Sequence, residues 1–378
     1  MDYVGRVRRL QRVMKENALD GVVYGLGANY QYFTGSMTPW VREREPIEPD
    51  HLLVVSREGM PALIVVGEGP REIVPAAVRV MTVPDRLQLV ALLAELLQGK
   101  SFGAGRQAYP YLLQLVAEAV PGALCMDAEE LGEGLRVRKE AEEVQRLREV
   151  ARFTDKVMGE VLLRIDRGLS QNELQLIIRD KGLQLGAQDV SFTPAGLYVK
   201  TGSTPSADPF TYPRDQGLVM GTSIAFDFGF VLHGYCSDFG RSFYYGAAPS
   251  HIRGAYRALQ AAQVHLISLM RPGLRMGAMT GILLDRLDVL GYGDRFRARL
   301  PCGTLGHQIG VDLHENPWIK PETDTLLAPG MVMCLEPKVW SPGEYYLRVE
   351  DMVLVTETGA ESLTEFDREV FELYPTGA

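Results

Sequence analysis

In the first part of the chain, segments whose hydrophobic and polar residues have the spacing of a helix alternate with segments that have the pattern of a strand. A basic amphipathic stretch at residues 6–17 predicts a helix, and the apolar run 21–24 that follows predicts a buried strand. Two further apolar runs, 52–55 and 62–66, flank a short polar turn and predict a hairpin. This alternation of helices and strands over residues 1–130 indicates a small domain of the α/β class.

A glycine-rich, charged segment at residues 132–138 predicts the boundary to a second, larger domain, residues 137–378. Beyond it, apolar side chains at three- and four-residue spacings predict a helix over residues 144–161. The sequence Ser170-Gln171-Asn172-Glu173 is a capping box, in which the serine and glutamate side chains satisfy free backbone amides. A second helix is therefore expected to begin there.

The order of two helices and a hairpin then occurs a second time. The predicted segments are hairpin strands at 222–230 and 236–245, helices at 253–270 and 276–290, and hairpin strands at 331–339 and 348–356. Each unit is roughly 110 residues long, which is too long for a solenoid repeat and indicates two similar halves of one domain. A functional site is expected where the halves meet.

Composition and charge narrow the classes of function. With 46% hydrophobic and 23% charged residues, the chain has the balance of a soluble globular protein. Its formal net charge of -9 lacks the basic excess that attracts nucleic acids or anionic membranes, so neither is expected as a partner. No apolar run suits a secretory signal or a membrane span, and the cysteines include no Cys-x-x-Cys pair. We therefore expect a cytoplasmic protein.

Acidic residues stand in both predicted hairpins at positions where apolar side chains are expected: Asp227 and Asp238, then Glu336 and Glu350. Apolar neighbours in sequence predict that Asp227 and Glu336 are buried, and a buried carboxylate needs a cation or strong hydrogen bonds. Two divalent ions would balance these charges and acidify a bound water to hydroxide near neutral pH. With His307 as the imidazole, the ligand set suits Mn²⁺, Co²⁺, Zn²⁺ or Fe²⁺.

The four acids together indicate a function more specifically than any one of them does. One such acid alone is more simply explained as a sheet-edge carboxylate, or as the partner of an arginine such as Arg241 or Arg348. Together with the motifs around them, the acids resemble the M24 metallopeptidases in order and spacing. The motifs are Asp227-Phe228-Gly229, Tyr235-Cys236-Ser237-Asp238, Gly306-His307-Gln308-Ile309-Gly310, His314-Glu315-Asn316-Pro317, Pro329-Gly330-Met331, Glu336-Pro337 and Arg348-Val349-Glu350-Asp351.

The resemblance covers about residues 137–360, and residues 1–130 are similar to the amino-terminal domain of the prolidase, aminopeptidase P and creatinase branch. It implies a pita-bread catalytic domain of the α+β class behind a smaller α/β domain. It also implies hydrolysis of the bond before proline by a hydroxide that bridges two divalent metal ions, with manganese expected first. The family's metal ligands fall on Asp227, Asp238, His307, Glu336 and Glu350.

The same resemblance implies catalytic and substrate-binding positions. Glu336 matches the residue that moves a proton from the nucleophile towards the leaving nitrogen, and His314 matches the histidine that contacts the substrate carbonyl oxygen. Arg348 and Phe210 are further candidates for substrate contact. Phe210 stands where many relatives have a second histidine, and Trp318 stands where some prolidases have an arginine for the substrate carboxylate.

The leading hypothesis is a Xaa-Pro dipeptidase acting on proline-containing dipeptides or short peptides. A loop arginine, Arg42 or Arg44, is the candidate to hold the substrate carboxylate across the interface of a homodimer. Three alternatives remain open. They are an Xaa-Pro aminopeptidase for longer peptides, a creatinase-like hydrolase of a C–N bond, and a non-enzymatic binding module; the last two leave the five metal ligands unexplained.

Overall fold

The computed structural model describes residues 1–37, 50–67, 78–299, 303–368 and 371–375. The chain forms two compact units, Met1–Arg136 and Val137–Ala378. Among the described residues, no helix combines the length and the apolar character that crossing a bilayer requires. The loop arginines Arg42 and Arg44 lie outside the described residues.

Six strands of the amino-terminal unit form one mixed sheet in the order β4-β3-β2-β1-β5-β6. The strands are β1 (Gly21–Gly25), β2 (His51–Ser56), β3 (Ala62–Val66), β4 (Arg79–Val83), β5 (Ser101–Ala104) and β6 (Leu124–Asp127). The helices are α1 (Tyr3–Glu16), α2 (Ala28–Thr34), α3 (Arg86–Leu96), α4 (Tyr109–Ala119) and α5 (Glu129–Arg136). Strands β2 and β3 pair antiparallel, which confirms the hairpin predicted from their apolar runs.

Helix α1 shows how the local sequence sets the elements of this unit. The Asp2 side chain accepts a hydrogen bond from the Gly5 amide at 2.8 Å and so caps the start of the helix. The helix buries Val7, Leu10 and Met14, which recur at three- and four-residue spacings, and burial of each such side chain contributes roughly 1.5–3 kcal/mol. The predicted amphipathic helix is confirmed, with its start three residues earlier.

The carboxy-terminal unit contains five further helices and fourteen strands among the described residues. The helices are α6 (Ala141–Leu162), α7 (Gln171–Leu185), α8 (Ser250–Leu269), α9 (Ala278–Val289) and α10 (Gly293–Arg297). The strands are β7 (Asp189–Val190), β8 (Ala195–Lys200), β9 (Thr222–Asp227), β10 (Phe230–Leu232), β11 (Tyr235–Cys236), β12 (Ser242–Tyr245), β13 (Gly306–Gln308), β14 (Glu315–Ile319), β15 (Val332–Leu335), β16 (Lys338–Ser341), β17 (Tyr345–Arg348), β18 (Asp351–Val355), β19 (Ala360–Ser362) and β20 (Glu372–Leu373).

Each half of this unit packs two helices against a sheet. Helices α6 and α7 cover the sheet β20-β12-β9-β8, with Met158 and Ile178 in one core with Phe226. Helices α8 and α9 cover the sheet β14-β13-β15-β18-β19, with Leu259 and Leu283 in another. The capping box at α7 is confirmed, because the Ser170 hydroxyl accepts from the Glu173 amide at 3.2 Å.

The two predicted hairpins of this unit are only partly right, because each long strand is broken into two short ones. Strand β9 pairs with β12 while β10 pairs with β11, and β15 pairs with β18 while β16 pairs with β17. The first break lies at Gly229, where a Cβ atom would stand 1.9 Å from the Ser237 carbonyl oxygen. The second lies at Pro337, which has no amide proton for the sheet. Gly229 follows Asp227 by two residues, and Pro337 follows Glu336 directly, so each break lies next to a candidate ligand.

Candidate metal centre

The four candidate acids stand at or near strand ends where the two halves of the unit meet, while His307 is the central residue of β13. Asp227 ends β9, Asp238 follows β11, and Glu336 follows β15. Glu350 immediately precedes β18, and its amide donates to the Gly240 carbonyl oxygen at 2.8 Å, which joins the halves. The backbone therefore brings together acids that are more than a hundred residues apart in sequence.

Three of the predicted ligands form a tight buried cluster with a thiol. One ligand atom each from Asp238, His307, Glu350 and Cys334 lies within 4.8 Å of the others. The Nε2 atom of His307 is 3.3 Å from Asp238 Oδ2, while its Nδ1 atom donates to the Gln308 carbonyl oxygen at 2.9 Å. That second hydrogen bond occupies Nδ1, so Nε2 is the nitrogen that would face a metal ion.

Two carboxylate oxygens in this cluster lack hydrogen bonds. Asp238 Oδ1 and Glu350 Oε1 are buried, and neither has a hydrogen-bond partner among the described residues. Buried carboxylate oxygens of this kind require a cation, and the nearby imidazole completes a donor set of the type that divalent transition metals bind. The residues present therefore fit a divalent metal ion.

Asp227 and Glu336 are instead engaged by basic side chains. Arg348 contacts Asp227 Oδ2 and Glu350 Oε2, the latter at 3.1 Å, and its other terminal nitrogen is 3.7 Å from Glu336 Oε2. Lys338 Nζ also bonds to Glu336 Oε2. The predicted burial is only partly right, because the Asp227 side chain is 26% exposed and that of Glu336 is 12% exposed. Asp227 is the last residue of β9, and its side chain contacts Arg348.

The acids fall into two groups by the direction in which their pKa values are shifted. Burial, followed by the charges of Asp227 and Glu336, raises the pKa of Asp238 well above its usual range. Burial and the Asp238 charge do the same to the pKa of Glu350. Burial alone would raise the pKa of Glu336 too, but Lys338 and Arg348 more than offset it and lower that pKa to about 2. Asp238 and Glu350 are thus the acids short of positive charge.

His314 lies beside the cluster with part of its ring open to solvent. Its ring is 4.5 Å from the His307 ring in a T-shaped contact and 5.0 Å from the Trp318 ring. Desolvation of the covered part, followed by the proximity of His307, lowers the pKa of His314 to about 4. The imidazole is therefore neutral near pH 7 and can donate one N–H hydrogen bond.

Phe210 lies on the surface beside the second hairpin, with 51% of its area exposed. Its ring is 6.2 Å from that of Tyr346, and the Arg299 guanidinium carbon lies 5.2 Å from the centre of the Phe210 ring. The same guanidinium carbon is 5.9 Å from the Tyr346 ring, and the buried Arg299 Nε has no hydrogen-bond partner among the described residues.

Sequence analysis missed Cys334 and Lys338. They stand two residues before and two residues after Glu336, and a spacing of two places side chains on one side of a strand. That spacing was the available signal. It was obscured because Pro337 interrupts the strand, so the contact of Lys338 with Glu336 depends on the hairpin β16–β17 rather than on the local sequence alone.

A buried ion pair supports the segment that carries both histidines. Lys139 Nζ is 3.2 Å from Glu315 Oε2 and 3.3 Å from Gln308 Oε1. The side chains of Lys139 and Glu315 are each 1% exposed, and Glu315 Oε1 accepts from the Asp312 amide at 3.3 Å. Gln308 follows His307, and Glu315 follows His314. This ion pair therefore ties together the residues next to both imidazoles.

Replacement of Lys139 with methionine is expected to lower the free energy of unfolding by about 3–5 kcal/mol, because the buried Glu315 charge loses its cation. Denaturant unfolding followed by tryptophan fluorescence measures the effect. The double variant Lys139→Met, Glu315→Gln is the control, since it removes the charge and keeps an acceptor for the Asp312 amide; most of the stability should return. A loss below about 1 kcal/mol in the single variant would contradict the role assigned to the pair.

Comparison with known proteins agrees with this geometry. The profile of metallopeptidase family M24 matches residues 145–357, and that of the creatinase/prolidase N-terminal domain matches residues 6–138. The first match covers more than half of the 378 residues. The chain belongs to metallopeptidase family M24.

Named relatives of this M24 protein include dipeptidases. The putative dipeptidase YkvY of Bacillus subtilis is 31% identical over 255 residues, 68% of this chain and 68% of that protein. A dipeptidase structure from Pyrococcus horikoshii has a TM-score of 0.82 and 25% identity, over 97% of this chain and 100% of that chain. The Xaa-Pro dipeptidase of Bacillus anthracis has a TM-score of 0.83 and 22% identity, over 98% and 100% of the two chains.

Membership of family M24 confirms the fold class expected from the sequence, a pita-bread catalytic region with a smaller α/β region before it. It also implies divalent metal ions as cofactors, which agrees with the unsatisfied oxygens of Asp238 and Glu350.

Proposed function

We propose that this M24 metallopeptidase is a Xaa-Pro dipeptidase, which hydrolyses the peptide bond before a carboxy-terminal proline. The observation that carries the proposal is the pair of buried, unsatisfied oxygens of Asp238 and Glu350 beside His307. A creatinase-like hydrolase that works without metal would leave these costly atoms without a purpose. The dipeptidase names of the similar proteins support the choice of substrate.

Five residues are proposed as ligands of two divalent ions: Asp227, Asp238, His307, Glu336 and Glu350. When bound, the ions supply charge balance and a water acidified enough to act as a nucleophile near neutral pH. Manganese is the proposed native metal, because hard carboxylate oxygens make up most of the ligand set.

Two side chains are proposed to handle protons and charge on the substrate. Lys338 and Arg348 keep Glu336 ionised, and as a carboxylate it would accept a proton from the nucleophile and pass it to the leaving nitrogen. His314 is neutral and donates its N–H to the substrate carbonyl oxygen, on which negative charge develops.

Binding of a short substrate is proposed to involve Phe210, Arg348 and Arg299. The exposed Phe210 ring offers a flat apolar surface for a proline ring. Arg299 lies over Phe210 and Tyr346 and supplies a cation for the free carboxylate, which a dipeptide carries next to its only peptide bond. Arg299 would thus supply the positive charge that some prolidases have from an arginine at the position of Trp318. A binding site for a free carboxylate this near to the peptide bond favours a dipeptidase over an aminopeptidase for longer peptides.

A cytoplasmic setting and a homodimer complete the proposal. Among the described residues, Cys125, Cys236 and Cys334 are free thiols, which is compatible with a reducing compartment. The homodimer stays a prediction from the family resemblance, and size-exclusion chromatography with light scattering tests it.

The substrate assignment is tested with Ala-Pro, Ala-Pro-Ala and Ala-Ala in the presence of Mn²⁺. We expect kcat/KM for Ala-Pro to exceed the value for each of the other two by at least about tenfold, which corresponds to roughly 1.4 kcal/mol in the transition state. Cleavage of the tripeptide with an inert Ala-Pro would instead identify an Xaa-Pro aminopeptidase. Equal rates for Ala-Pro and Ala-Ala would contradict proline specificity.

A further inference from the structure

A cavity of about 740 Å³ lies between one face of helix α8 and the side chains of Arg368, Phe371 and Glu372 near the carboxy terminus. Its volume is within the range of pockets that hold small organic molecules, roughly 300–1,000 Å³. None of the described residues that line it is a candidate metal ligand or a candidate substrate contact. The proposed peptidase function therefore leaves this cavity unexplained.

The face of α8 that lines the cavity carries two arginines about one turn apart. Arg253 and Arg257 are four residues apart in the helix, and like charges at that spacing destabilise a helix unless anions lie beside them. Arg253 contacts Glu372 through an ion pair. Arg257 is exposed and has no ion-pair or hydrogen-bond partner among the described residues. The repulsion between the two guanidinium groups is therefore only partly offset.

A third arginine, Arg368, also lines the cavity. Its guanidinium contacts Asp351, which accepts from Arg241 as well at 2.6 Å, so two arginines share one carboxylate. The Nε atom of Arg368 is buried and has no hydrogen-bond partner among the described residues. Gln260 on α8 donates to the Arg368 carbonyl oxygen and so ties this residue to the helix. A third guanidinium with incomplete charge compensation is thus held beside α8.

The charges of the lining favour a dianion as the ligand. The described lining residues include three arginines and one acid, Glu372, in a chain whose formal net charge is -9. The local surplus of two positive charges matches a phosphate monoester, which carries about -1.5 to -2 charges near pH 7. Arginine also binds phosphate oxygens through two parallel N–H donors. A single carboxylate carries only one charge, so a phosphate is the better match.

The same cavity offers an apolar surface near the arginines. Val264 lies about two turns after Arg257 on α8, and 49% of its area is exposed. The Phe371 ring lines the cavity as well and stacks on the Tyr256 ring, with the ring centres 4.3 Å apart. A phosphate that carries a ring can cover the charged and the apolar surfaces together. Inorganic phosphate reaches only the charges.

We propose that this cavity binds a small organic phosphate. The phosphate group lies among Arg253, Arg257 and Arg368, and the ring or apolar portion lies against Val264 and Phe371. Binding offsets the repulsion between the two arginines of α8 and supplies an anionic partner for Arg257. The site does not depend on the proposed peptidase function, so either proposal can fail while the other stands.

Titration calorimetry with AMP, at a fixed concentration of free Mn²⁺, tests the proposal, because AMP combines a phosphate monoester with a flat ring. We expect AMP to bind at least about tenfold more tightly than adenosine or inorganic phosphate, since a hydrogen bond to a charged group contributes enough for that factor. Arg257→Met keeps an apolar stem without the charge and should weaken AMP binding at least about tenfold, and Arg257→Lys should weaken it less. Arg179→Met, at an exposed arginine on α7, is the matched control and should bind AMP like the wild type.

A second variant, Val264→Glu, leaves all three arginines in place and adds a negative charge to the cavity, so it should also weaken AMP binding at least about tenfold. Wild-type unfolding midpoints would show that the variants fold. Absence of AMP binding to the wild type would overturn the proposal. An unchanged affinity for AMP in either variant would overturn it too, since the phosphate would then lie elsewhere, such as at the metal ions. Equal affinities for AMP and adenosine would refute phosphate recognition, and equal affinities for AMP and inorganic phosphate would refute an organic ligand.

Discussion

Replacement of Asp238 with alanine is expected to lower kcat/KM for Ala-Pro by at least about 10³-fold, which corresponds to roughly 4 kcal/mol of transition-state stabilisation. Asp238 is buried, lies 3.3 Å from the metal-facing nitrogen of His307, and offers an oxygen with no hydrogen-bond partner among the described residues. We further propose that Asp238, with Glu350, would serve both ions, as the corresponding positions of the M24 family do. Its loss therefore weakens both metal positions at once, whereas loss of a terminal ligand weakens only one.

Metal content separates this explanation from simple misfolding. Elemental analysis should find fewer than one ion per chain in Asp238→Ala, and Asp238→Asn should behave similarly because it keeps the shape of the side chain and loses the charge. Asp189→Ala is the matched control, since Asp189 is an exposed aspartate in β7 and should change neither metal content nor rate. If Asp238→Ala hydrolysed Ala-Pro at the wild-type rate, the two-metal mechanism would have to be abandoned.

Elements with a local cause were predictable from the sequence. Helix α7 begins at Gln171, directly after the N-cap Ser170, because a capping box is complete within four residues, and α1 follows the three- and four-residue spacing of its apolar side chains. In the first predicted hairpin, the break of the long strand had no such local cause. Gly229 breaks the strand because the Ser237 carbonyl approaches it, and that approach is a tertiary contact. Pro337, however, gave a readable signal for the second break.

In the candidate site, too, some features were predictable from the sequence and others depend on tertiary contacts. The positions of Asp238, Glu350 and His307 were predictable, because acids in apolar strands and a histidine between glycines stand out from their surroundings. Arg348 was named as a possible partner of such an acid, and it contacts Asp227 and Glu336. The contact of Lys338 with Glu336 was missed, because it depends on the pairing of β16 with β17. Register across a hairpin decides which side chains meet, and the sequence specified that hairpin only as one long pair.

The second large effect is expected at His314, where replacement with alanine should lower kcat by about 10²- to 10³-fold. Its ring packs against His307 and Trp318, which fixes its direction, and its pKa of about 4 keeps it neutral across the range in which the enzyme would work. The sign of this shift matters, because a lowered pKa means that the imidazole gains its charge only below about pH 4. Between pH 6 and 8 the rate should therefore show no ionisation that belongs to His314.

The test of His314 depends on metal binding staying intact, in contrast to Asp238. His314→Ala should retain the metal content and the unfolding midpoint of the wild type, because the residue is not among the proposed ligands. His314→Gln restores an N–H donor and should recover part of kcat. His265→Ala, at an exposed histidine on α8, is the matched control and should have no effect on the rate. A drop in metal content equal to the drop in kcat would make His314 a support for the metal centre rather than a donor to the substrate.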